Sequence, residues 1–174
     1  MGYAGGSRAN PTYTSLGNHT ECFEVTFDPA RITYRDLLRI FWKSHHPFTA
    51  SGNRQYMAAV FPAGEEQKKI AEASREEVAR DRSRAVATPV VPLDRFWPAE
   101  DYHQKHSLRR HADLLAEFAA YYPTGPELTR STAAARVNGF LGGHGTREQF
   151  DRIKDSLGLS EKSLAKLARL FPPR

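Results

Sequence analysis

Four side chains that can take part in chemistry stand close together near the start of the sequence, in the stretch NPTYTSLGNHTECF (10–23). Tyr13 carries a phenol, His19 an imidazole, Glu21 a carboxyl group and Cys22 a thiol. A carboxylic acid can donate a proton, and a thiolate can attack an electrophilic atom. Glu21 and Cys22 are adjacent, so the chemistry open to this stretch depends on the direction in which each side chain points.

The segment ECFEVTF (21–27) alternates in polarity and is followed by Asp28 and a proline, which predicts a half-buried strand. Residues two apart share a face, so Glu21 lies with the apolar residues of the segment and Cys22 points the other way. A carboxyl group that faces a core is expected to have a raised pKa, which makes Glu21 a candidate proton donor. Alternatively, Glu21 lies at the frayed end of the strand and reaches water. Cys22 is predicted to be a bystander and not a nucleophile that works with Glu21.

Helix and strand patterns alternate after this strand. Thr33 and Asp36 form a capping-box pattern in front of apolar residues at helical spacing. A charged segment from Glu65 to about Ala85 predicts a second helix. Further strands are predicted at 55–61 and 86–91, and the proline within the latter favours an edge position. The order of elements predicts an α+β fold in which helices pack on a mixed β-sheet.

The last third of the sequence has a helical pattern. Residues 101–122 predict a long helix that Pro123 closes. Three residues suit the N-caps of shorter helices further on: Ser131, Thr146 and Ser160. We predict one domain over residues 1–123 and a helical C-terminal extension over residues 124–174.

The composition narrows the class of protein. A chain of 174 residues with 40% hydrophobic and 26% charged residues is long enough for one well-buried core but not for two full-sized domains. No apolar run approaches the roughly 18 residues of a membrane span, and no secretory signal is recognisable, so we expect a cytoplasmic protein without a membrane partner. A single cysteine excludes an internal disulfide bond.

Charge and histidine spacing argue against two further classes of site. The formal net charge is +5, but basic residues alternate with acidic ones, as in the predicted charged helix, so we expect no nucleic-acid partner. His103, His106 and His111 do not all share one face of a helix, so we predict no metal site.

Several separate motifs resemble those of the A-type peptide methionine sulfoxide reductases, and they occur in the same order as in that family. The resemblance runs over roughly the first 105 residues. The motifs are GYAGG (2–6), NPTY (10–13), HTE (19–21), FDPARITYRDLLRIFWKSHHP (27–47), RQYMAAVF (54–61) and PAEDYHQ (98–104).

The resemblance implies a two-layer, ferredoxin-like reductase core and reduction of the S epimer of methionine sulfoxide, free or in proteins, as repair of oxidative damage. In that family a cysteine thiolate attacks the sulfoxide sulfur, a glutamate donates a proton to the oxygen, and two tyrosine hydroxyls bind that oxygen. By position, the acid is Glu21 and the tyrosines are Tyr13 and Tyr56, which together form the catalytic and substrate-binding set. No bound cofactor is implied. The cysteine sulfenic acid is resolved by another cysteine or by an external thiol, and the usual reductant is thioredoxin or another dithiol.

The sequence departs from the family at the nucleophile. The family's nucleophilic cysteine lies in a GCFWG motif upstream of GYAGG, and no GCFWG motif occurs in these 174 residues. Cys22 matches neither the nucleophile nor the resolving cysteine, whose region is occupied here by TSLG (14–17). A family aspartate that supports the loop of the second tyrosine falls near Ser51.

Two functions from different classes follow. The first is a reductase whose nucleophilic cysteine lies outside this sequence, as expected for a fragment of a longer product. The second is a non-catalytic module that binds methionine sulfoxide or a partner. In either case, loss of the family's first strand is expected to leave strand edges and apolar faces uncovered, unless something else fills the sheet.

Overall fold

The computed structural model describes residues 1–171. The chain divides into two compact units, one of Met1–Glu100 and a second that begins at Asp101. In the described residues the secondary structure consists of eight α-helices, two short 3₁₀ turns and three short strands. The fold is therefore α+β, as predicted.

The sheet lies in the first unit and has the order β2-β1-β3. Its strands are β1 (Gly2–Ala4), β2 (Thr20–Cys22) and β3 (Trp97–Pro98), and both pairings are antiparallel. Tyr3 of β1, which is buried, pairs with Glu21 on one side and with Trp97 on the other. Residues that stand directly opposite in an antiparallel pair share a face, so Glu21 lies on the face of Tyr3.

The sheet is smaller than the sequence pattern predicted. The strand predicted at 21–27 ends at Cys22, and the side chains of Phe23 and Val25 are 68% and 47% exposed. The strands predicted at 55–61 and 86–91 are reduced to one parallel bridge between Val60 and Val90. Alternating polarity favours a strand, but a strand also needs a partner for its backbone. Within residues 1–171, no element pairs with 23–27.

Two helices complete the first unit. Helix α1 (Tyr34–Lys43) begins at the predicted capping box, in which Thr33 accepts from the Asp36 amide and the Asp36 carboxylate accepts from Thr33. Helix α2 (Glu65–Arg82) confirms the predicted charged helix. The indole of Trp42 donates to the Ser74 hydroxyl across 2.6 Å, which joins the two helices through a buried contact. Their shared core contains Leu38, Trp42, Val60 and Ala71.

The second unit contains only helices and 3₁₀ turns in its described part. Its α-helices are α3 (His106–Arg109), α4 (Ala112–Tyr121), α5 (Gly125–Arg130), α6 (Thr132–Leu141), α7 (Arg147–Ile153) and α8 (Glu161–Ala168). Ser131, Thr146 and Ser160 each accept from the backbone amide three residues later, which confirms the predicted N-caps. The prediction of a single helix over residues 101–122 is wrong. Lys105 adopts the left-handed conformation with φ of 52°, so the segment is a 3₁₀ turn (Asp101–His103) followed by α3 and α4.

One hydrophobic core holds the second unit together. Its buried members are Leu108, Leu114, Phe118, Leu128, Ala134, Val137, Phe140, Phe150, Leu157 and Leu167. Residues on α3 and α4 therefore share a core with residues on the later helices. The assignment of residues 1–123 to a reductase-like domain stays a prediction. Within the described part of the chain, no helix has both the length and the apolar character that a membrane crossing requires.

Candidate active site

The two predicted tyrosines come together in the first unit although 43 residues separate them in sequence. The hydroxyl oxygens of Tyr13 and Tyr56 lie 3.3 Å apart, within hydrogen-bond distance. The side chains are 40% and 58% exposed, so both phenols are accessible from solvent. A pair of accessible hydroxyl donors at this separation can bind one acceptor atom of a ligand.

Glu21 is linked to this pair through the side chain of Gln55. The Gln55 amide nitrogen, Nε2, donates to Glu21 Oε1 across 2.6 Å and to the Tyr56 hydroxyl across 3.1 Å. Glu21 is half-buried and lies at the middle of β2. The structure thus brings all three predicted site residues into one hydrogen-bonded cluster, with Gln55 at its centre.

The expected surroundings of Glu21 need correction. The sequence pattern placed Glu21 on an apolar face with Phe23 and Val25, but both of those side chains are exposed beyond the end of β2. The immediate polar partner of the carboxyl group is the Gln55 amide. Glu21 is also not at a frayed end that only water reaches, because its backbone amide donates to the Gln55 carbonyl across 2.9 Å.

Glu100 fixes the loop that carries Tyr13. One carboxylate oxygen of Glu100 accepts from the Tyr13 backbone amide at 3.0 Å, and the other accepts from the buried Tyr3 hydroxyl at 2.6 Å. Next to Tyr13, Ser15 donates to the Thr12 carbonyl across 3.0 Å, which closes a tight turn. The position of Tyr13 therefore depends on a residue 87 positions further along the chain.

A second loop carries Gln55 and Tyr56. The side-chain oxygen of Asn53 accepts from the backbone N–H of Gln55 at 2.9 Å, and the Ser51 hydroxyl donates to the Asn53 carbonyl at the same distance. Arg54 extends back to the first loop and donates to the carbonyls of Asn18 (2.6 Å) and Gly5 (2.7 Å). Side-chain to backbone hydrogen bonds hold this loop, and Ser51, near which the family aspartate falls, contributes to them.

His19, the imidazole of the opening stretch, is a structural residue in this arrangement. Its ring is buried, its Nδ1 accepts from the Gly6 amide at 3.1 Å, and its Nε2 lies 2.8 Å from the Arg8 carbonyl. Because Nδ1 is an acceptor, the ring proton is on Nε2 and is donated to Arg8. A Cβ on Gly6 would lie 2.6 Å from the ring, so only glycine lets the backbone approach this closely.

Cys22 lies on the opposite face of β2 from Glu21. Its register partner is Gly2, and it shares a face with the buried residues Ala4 and Thr20. Burial raises the pKa of the Cys22 thiol to about 11, and Glu24 acts in the same direction, whereas the N-terminal ammonium opposes them. A thiol with so high a pKa is almost entirely protonated at neutral pH and is a poor nucleophile.

The phenol pair also has a distinct electrostatic environment. The hydrogen bond with Tyr13 raises the pKa of the Tyr56 hydroxyl, and partial burial and the charge of Glu21 add to that effect. Tyr56 therefore stays protonated throughout the neutral range and remains a hydrogen-bond donor. No group of three or more metal-ligating side chains occurs in residues 1–171.

Sequence reasoning missed Gln55 and Glu100. Both stand inside motifs that were recognised, RQYMAAVF and PAEDYHQ, but nothing in the local pattern identifies their partners. Gln55 reaches Glu21 from 34 residues away in sequence, and Glu100 reaches Tyr13 from 87 away. Only the folded loops place them at the cluster.

The Gln55 side-chain amide joins the Glu21 carboxyl group to Tyr56, and the Tyr56 hydroxyl contacts that of Tyr13. Such a cluster can bind an oxygen acceptor of a ligand and supply it with a proton. A sequence model described as "Peptide methionine sulfoxide reductase" matches residues 1–124. The chain belongs to the peptide methionine sulfoxide reductase family.

Individual relatives agree with this assignment. The chain is 39% identical over 163 residues to a peptide methionine sulfoxide reductase of Drosophila melanogaster. The aligned region covers 92% of this chain and 65% of the relative. It is 40% identical over 146 residues to peptide methionine sulfoxide reductase A5 of Oryza sativa subsp. japonica, covering 80% of this chain and 57% of the relative. The chain thus spans less than two thirds of the length of either relative.

A solved structure is similar as well. The crystal structure of Mxr1 from Saccharomyces cerevisiae in reduced form superposes with a TM-score of 0.57 at 25% sequence identity. The similarity covers 64% of this chain and 69% of the yeast chain.

Proposed function

We propose that this chain carries the oxygen-binding and proton-donating part of a peptide-methionine (S)-S-oxide reductase site. The observation that carries the proposal is the cluster in which Gln55 joins the Glu21 carboxyl group to Tyr56, with the Tyr13 hydroxyl 3.3 Å from that of Tyr56. A sulfoxide presents one strongly polar oxygen next to an electrophilic sulfur. Two phenol donors and one carboxylic acid match the hydrogen-bonding needs of that oxygen.

In the proposed reaction a cysteine thiolate attacks the sulfoxide sulfur. Glu21 gives its proton to the sulfoxide oxygen, and the hydroxyls of Tyr13 and Tyr56 stabilise the charge on that oxygen. The sulfur–oxygen bond breaks, the oxygen is transferred to the cysteine as a sulfenic acid, and the substrate leaves as methionine, reduced by two electrons. Two thiols of an external reductant then convert the sulfenic acid to thiol and water and form a disulfide.

The thiolate in this scheme is not Cys22. That thiol lies on the opposite face of β2 from Glu21, and its raised pKa keeps it protonated. The nucleophile is therefore assigned to a cysteine outside these 174 residues. The two exposed apolar side chains beyond β2, Phe23 and Val25, support this assignment, because they offer a surface against which a further segment can pack.

The wider setting follows from the same proposal. The substrates are methionine S-sulfoxide in oxidised proteins or the free amino acid, thioredoxin or another dithiol is the reductant, and no bound cofactor is needed. The function is repair of oxidative damage in the cytoplasm, and the core is of the two-layer, ferredoxin-like type. The similarity to the yeast structure and the packing of α1 and α2 support this fold.

A second candidate is a non-catalytic module that binds methionine sulfoxide through the same cluster. The orientation and raised pKa of Cys22 favour it for the 174 residues taken alone. The two candidates share the binding step and differ only in whether a thiolate is present. Binding and turnover are therefore tested separately.

The binding step is tested with the S-sulfoxide, R-sulfoxide and sulfide forms of N-acetyl-methionine methylamide, titrated into the chain and followed by NMR. We expect the S-sulfoxide to bind most tightly, and Tyr56→Phe to weaken its binding about fivefold through loss of roughly one hydrogen bond. Tyr121→Phe, at an exposed tyrosine of the second unit, is the matched control and should leave binding unchanged. Equal affinity for sulfoxide and sulfide would overturn the proposal.

Turnover separates the two candidates. The 174-residue chain with dithiothreitol should not reduce an S-sulfoxide peptide, and Cys22→Ser should change nothing. Turnover that disappears in Cys22→Ser would show that the assignment of Cys22 is wrong. In a protein that includes the nucleophilic cysteine, Glu21→Gln should lower the rate by about a hundredfold to ten-thousandfold without lowering the thermal midpoint. An unchanged rate with a lowered midpoint would make Glu21 a structural residue.

A further inference from the structure

Gln55 occupies the centre of the site without a role in the scheme above. Its side-chain amide has two N–H groups, and the geometry gives each of them an acceptor: Glu21 Oε1 at 2.6 Å and the Tyr56 hydroxyl at 3.1 Å. Both acceptors belong to groups that must themselves donate a proton or a hydrogen bond to the substrate. The Gln55 side-chain amide therefore hydrogen-bonds to two groups, Glu21 and Tyr56, that are both hydrogen-bond donors in the proposed reaction.

In the protonated form of Glu21 that the proposed reaction requires, the bond from Gln55 determines which carboxyl oxygen carries the proton. A neutral carboxylic acid has one hydroxyl oxygen and one carbonyl oxygen. Because Oε1 accepts from Gln55, it is the carbonyl oxygen, and the transferable proton is on Oε2. The proton of Glu21 thus points away from Gln55.

The bond to Tyr56 acts in the same way. The phenol oxygen accepts from Gln55 and so cannot direct its own hydrogen back along that line. That hydrogen is left for the Tyr13 oxygen, 3.3 Å away, or for a ligand atom in its place. One amide therefore directs the hydrogens of both Glu21 and Tyr56 away from itself.

The amide is well anchored for this task. The Gln55 backbone N–H donates to Asn53 and its carbonyl accepts from the Glu21 amide, each at 2.9 Å. Gln55 itself is half-buried, whereas Tyr56 beside it is exposed. A donor fixed in this manner needs little reorganisation when a ligand binds.

We propose that Gln55 is a positioning residue that directs the proton of Glu21 to Oε2 and the hydroxyl hydrogen of Tyr56 toward the sulfoxide oxygen. This inference rests on the proposed function. It predicts that substitution of Gln55 weakens the binding of ligands that carry the sulfoxide oxygen. Binding of the corresponding sulfide should not change, because the sulfide has no oxygen to accept the oriented hydrogens.

The test is Gln55→Met, which keeps the length of the side chain and removes both N–H groups. We expect binding of the N-acetyl-methionine S-sulfoxide methylamide to weaken about tenfold, as loss of alignment of two donors implies, with sulfide binding unchanged. Gln67→Met is the matched control, since the Gln67 side chain accepts only from the Ala63 amide among its hydrogen bonds in residues 1–171. It should alter neither affinity.

The S=O stretching band of the bound sulfoxide, identified by ¹⁸O labelling, gives a second readout. Strong hydrogen bonds lower this frequency, so the band should move back toward its value in water in Gln55→Met and stay in place in Gln67→Met. A merely structural Gln55 would weaken sulfoxide and sulfide binding equally, and that result would overturn the inference.

A second variant covers the case in which Gln55→Met does not fold. Gln55→Glu keeps the shape of the side chain but offers only acceptors at neutral pH, so the preference for sulfoxide over sulfide should fall. It should recover in part below about pH 4, where the neutral acid regains one donor. If the unsubstituted chain prefers sulfoxide and both Gln55 variants keep that preference, the role of Gln55 is overturned while the proposed function stands. If the unsubstituted chain has no preference, the proposed function fails first.

Discussion

The two units of this chain differ in what holds them together. In the helical unit that begins at Asp101, ten buried side chains form one core, and side-chain caps begin most of the helices. In Met1–Glu100 the buried hydrophobic clusters are smaller, and the site loops are fixed by hydrogen bonds such as those of Arg54 and Glu100. The proposed site lies in the unit with less hydrophobic core. Polar contacts fix direction as well as distance, which a site for one oxygen atom requires and a helical core does not.

The largest effect that this comparison predicts is in the helical core. Phe118→Ala removes a ring that is 1% exposed and should lower the free energy of unfolding of that unit by about 3–5 kcal/mol. The measurement is urea denaturation followed by circular dichroism at the helical band. Tyr121→Ala, on the same helix but 64% exposed, should cost less than about 1 kcal/mol. Similar losses in the two variants would contradict the assigned core.

The next effect sharpens the description of the site unit. Glu100→Met removes the acceptors of the buried Tyr3 hydroxyl and of the Tyr13 amide, and should cost about 1–3 kcal/mol. Tyr3→Phe in the Glu100→Met background should restore part of the loss, because no buried hydroxyl then needs that acceptor. Chemical denaturation of the four proteins of this cycle measures the coupling. Additive losses would show that the bond between Tyr3 and Glu100 contributes nothing.

A smaller effect concerns polar contacts in the helical unit. The Ser160 backbone amide, together with the hydroxyls of Ser160 and Ser163, donates to Glu117 and lowers the pKa of that carboxyl group. A carboxyl group with a lowered pKa stabilises the fold above its unfolded-state pKa, and the contribution is lost as the pH falls through the folded-state value. Glu117→Gln should cost about 1 kcal/mol at pH 7, because a half-buried carboxylate then loses charge-assisted hydrogen bonds.

Denaturation midpoints between pH 7 and pH 3 check this sign. The difference in denaturation midpoint between the parent protein and Glu117→Gln should become smaller as the pH falls. Glu148→Gln, at an exposed carboxylate in the first turn of α7, serves as the control and should show a much smaller difference at every pH. A difference that grew on acidification would refute the role given to Glu117.

The smallest effect should come from the exposed residue after β2. Phe23 is 68% exposed, so Phe23→Ser should change the stability of the 174-residue chain by no more than about 0.5 kcal/mol. Substitution of a buried core phenylalanine would lower the stability by several times that amount. Chemical denaturation of the chain measures it, and a loss above about 2 kcal/mol would show that the predicted strand face is buried after all.

Prediction from sequence succeeded where the signal is local. The capping box of Thr33 and the N-caps at Ser131, Thr146 and Ser160 are read from a few adjacent residues, and the corresponding helices are present. The strands at 55–61 and 86–91 were overestimated, because a strand exists only with a partner, and that partner is often far away in sequence. The motifs brought Tyr13, Glu21 and Tyr56 to attention, but their link through Gln55 depends on a contact between two separate loops.

The segment after β2 bears on the handling of this chain in solution. Phe23 and Val25 project from a backbone that has no strand partner within residues 1–171, next to the outer strand of the sheet. An open edge with apolar side chains is a template for intermolecular β-pairing, the first step of amorphous or fibrillar aggregation. Glu24 stands between them and acts as a gatekeeper, since stacking identical chains in register would bring like charges together. Glu24→Gln should therefore lower the solubility of the chain at a fixed pH and ionic strength.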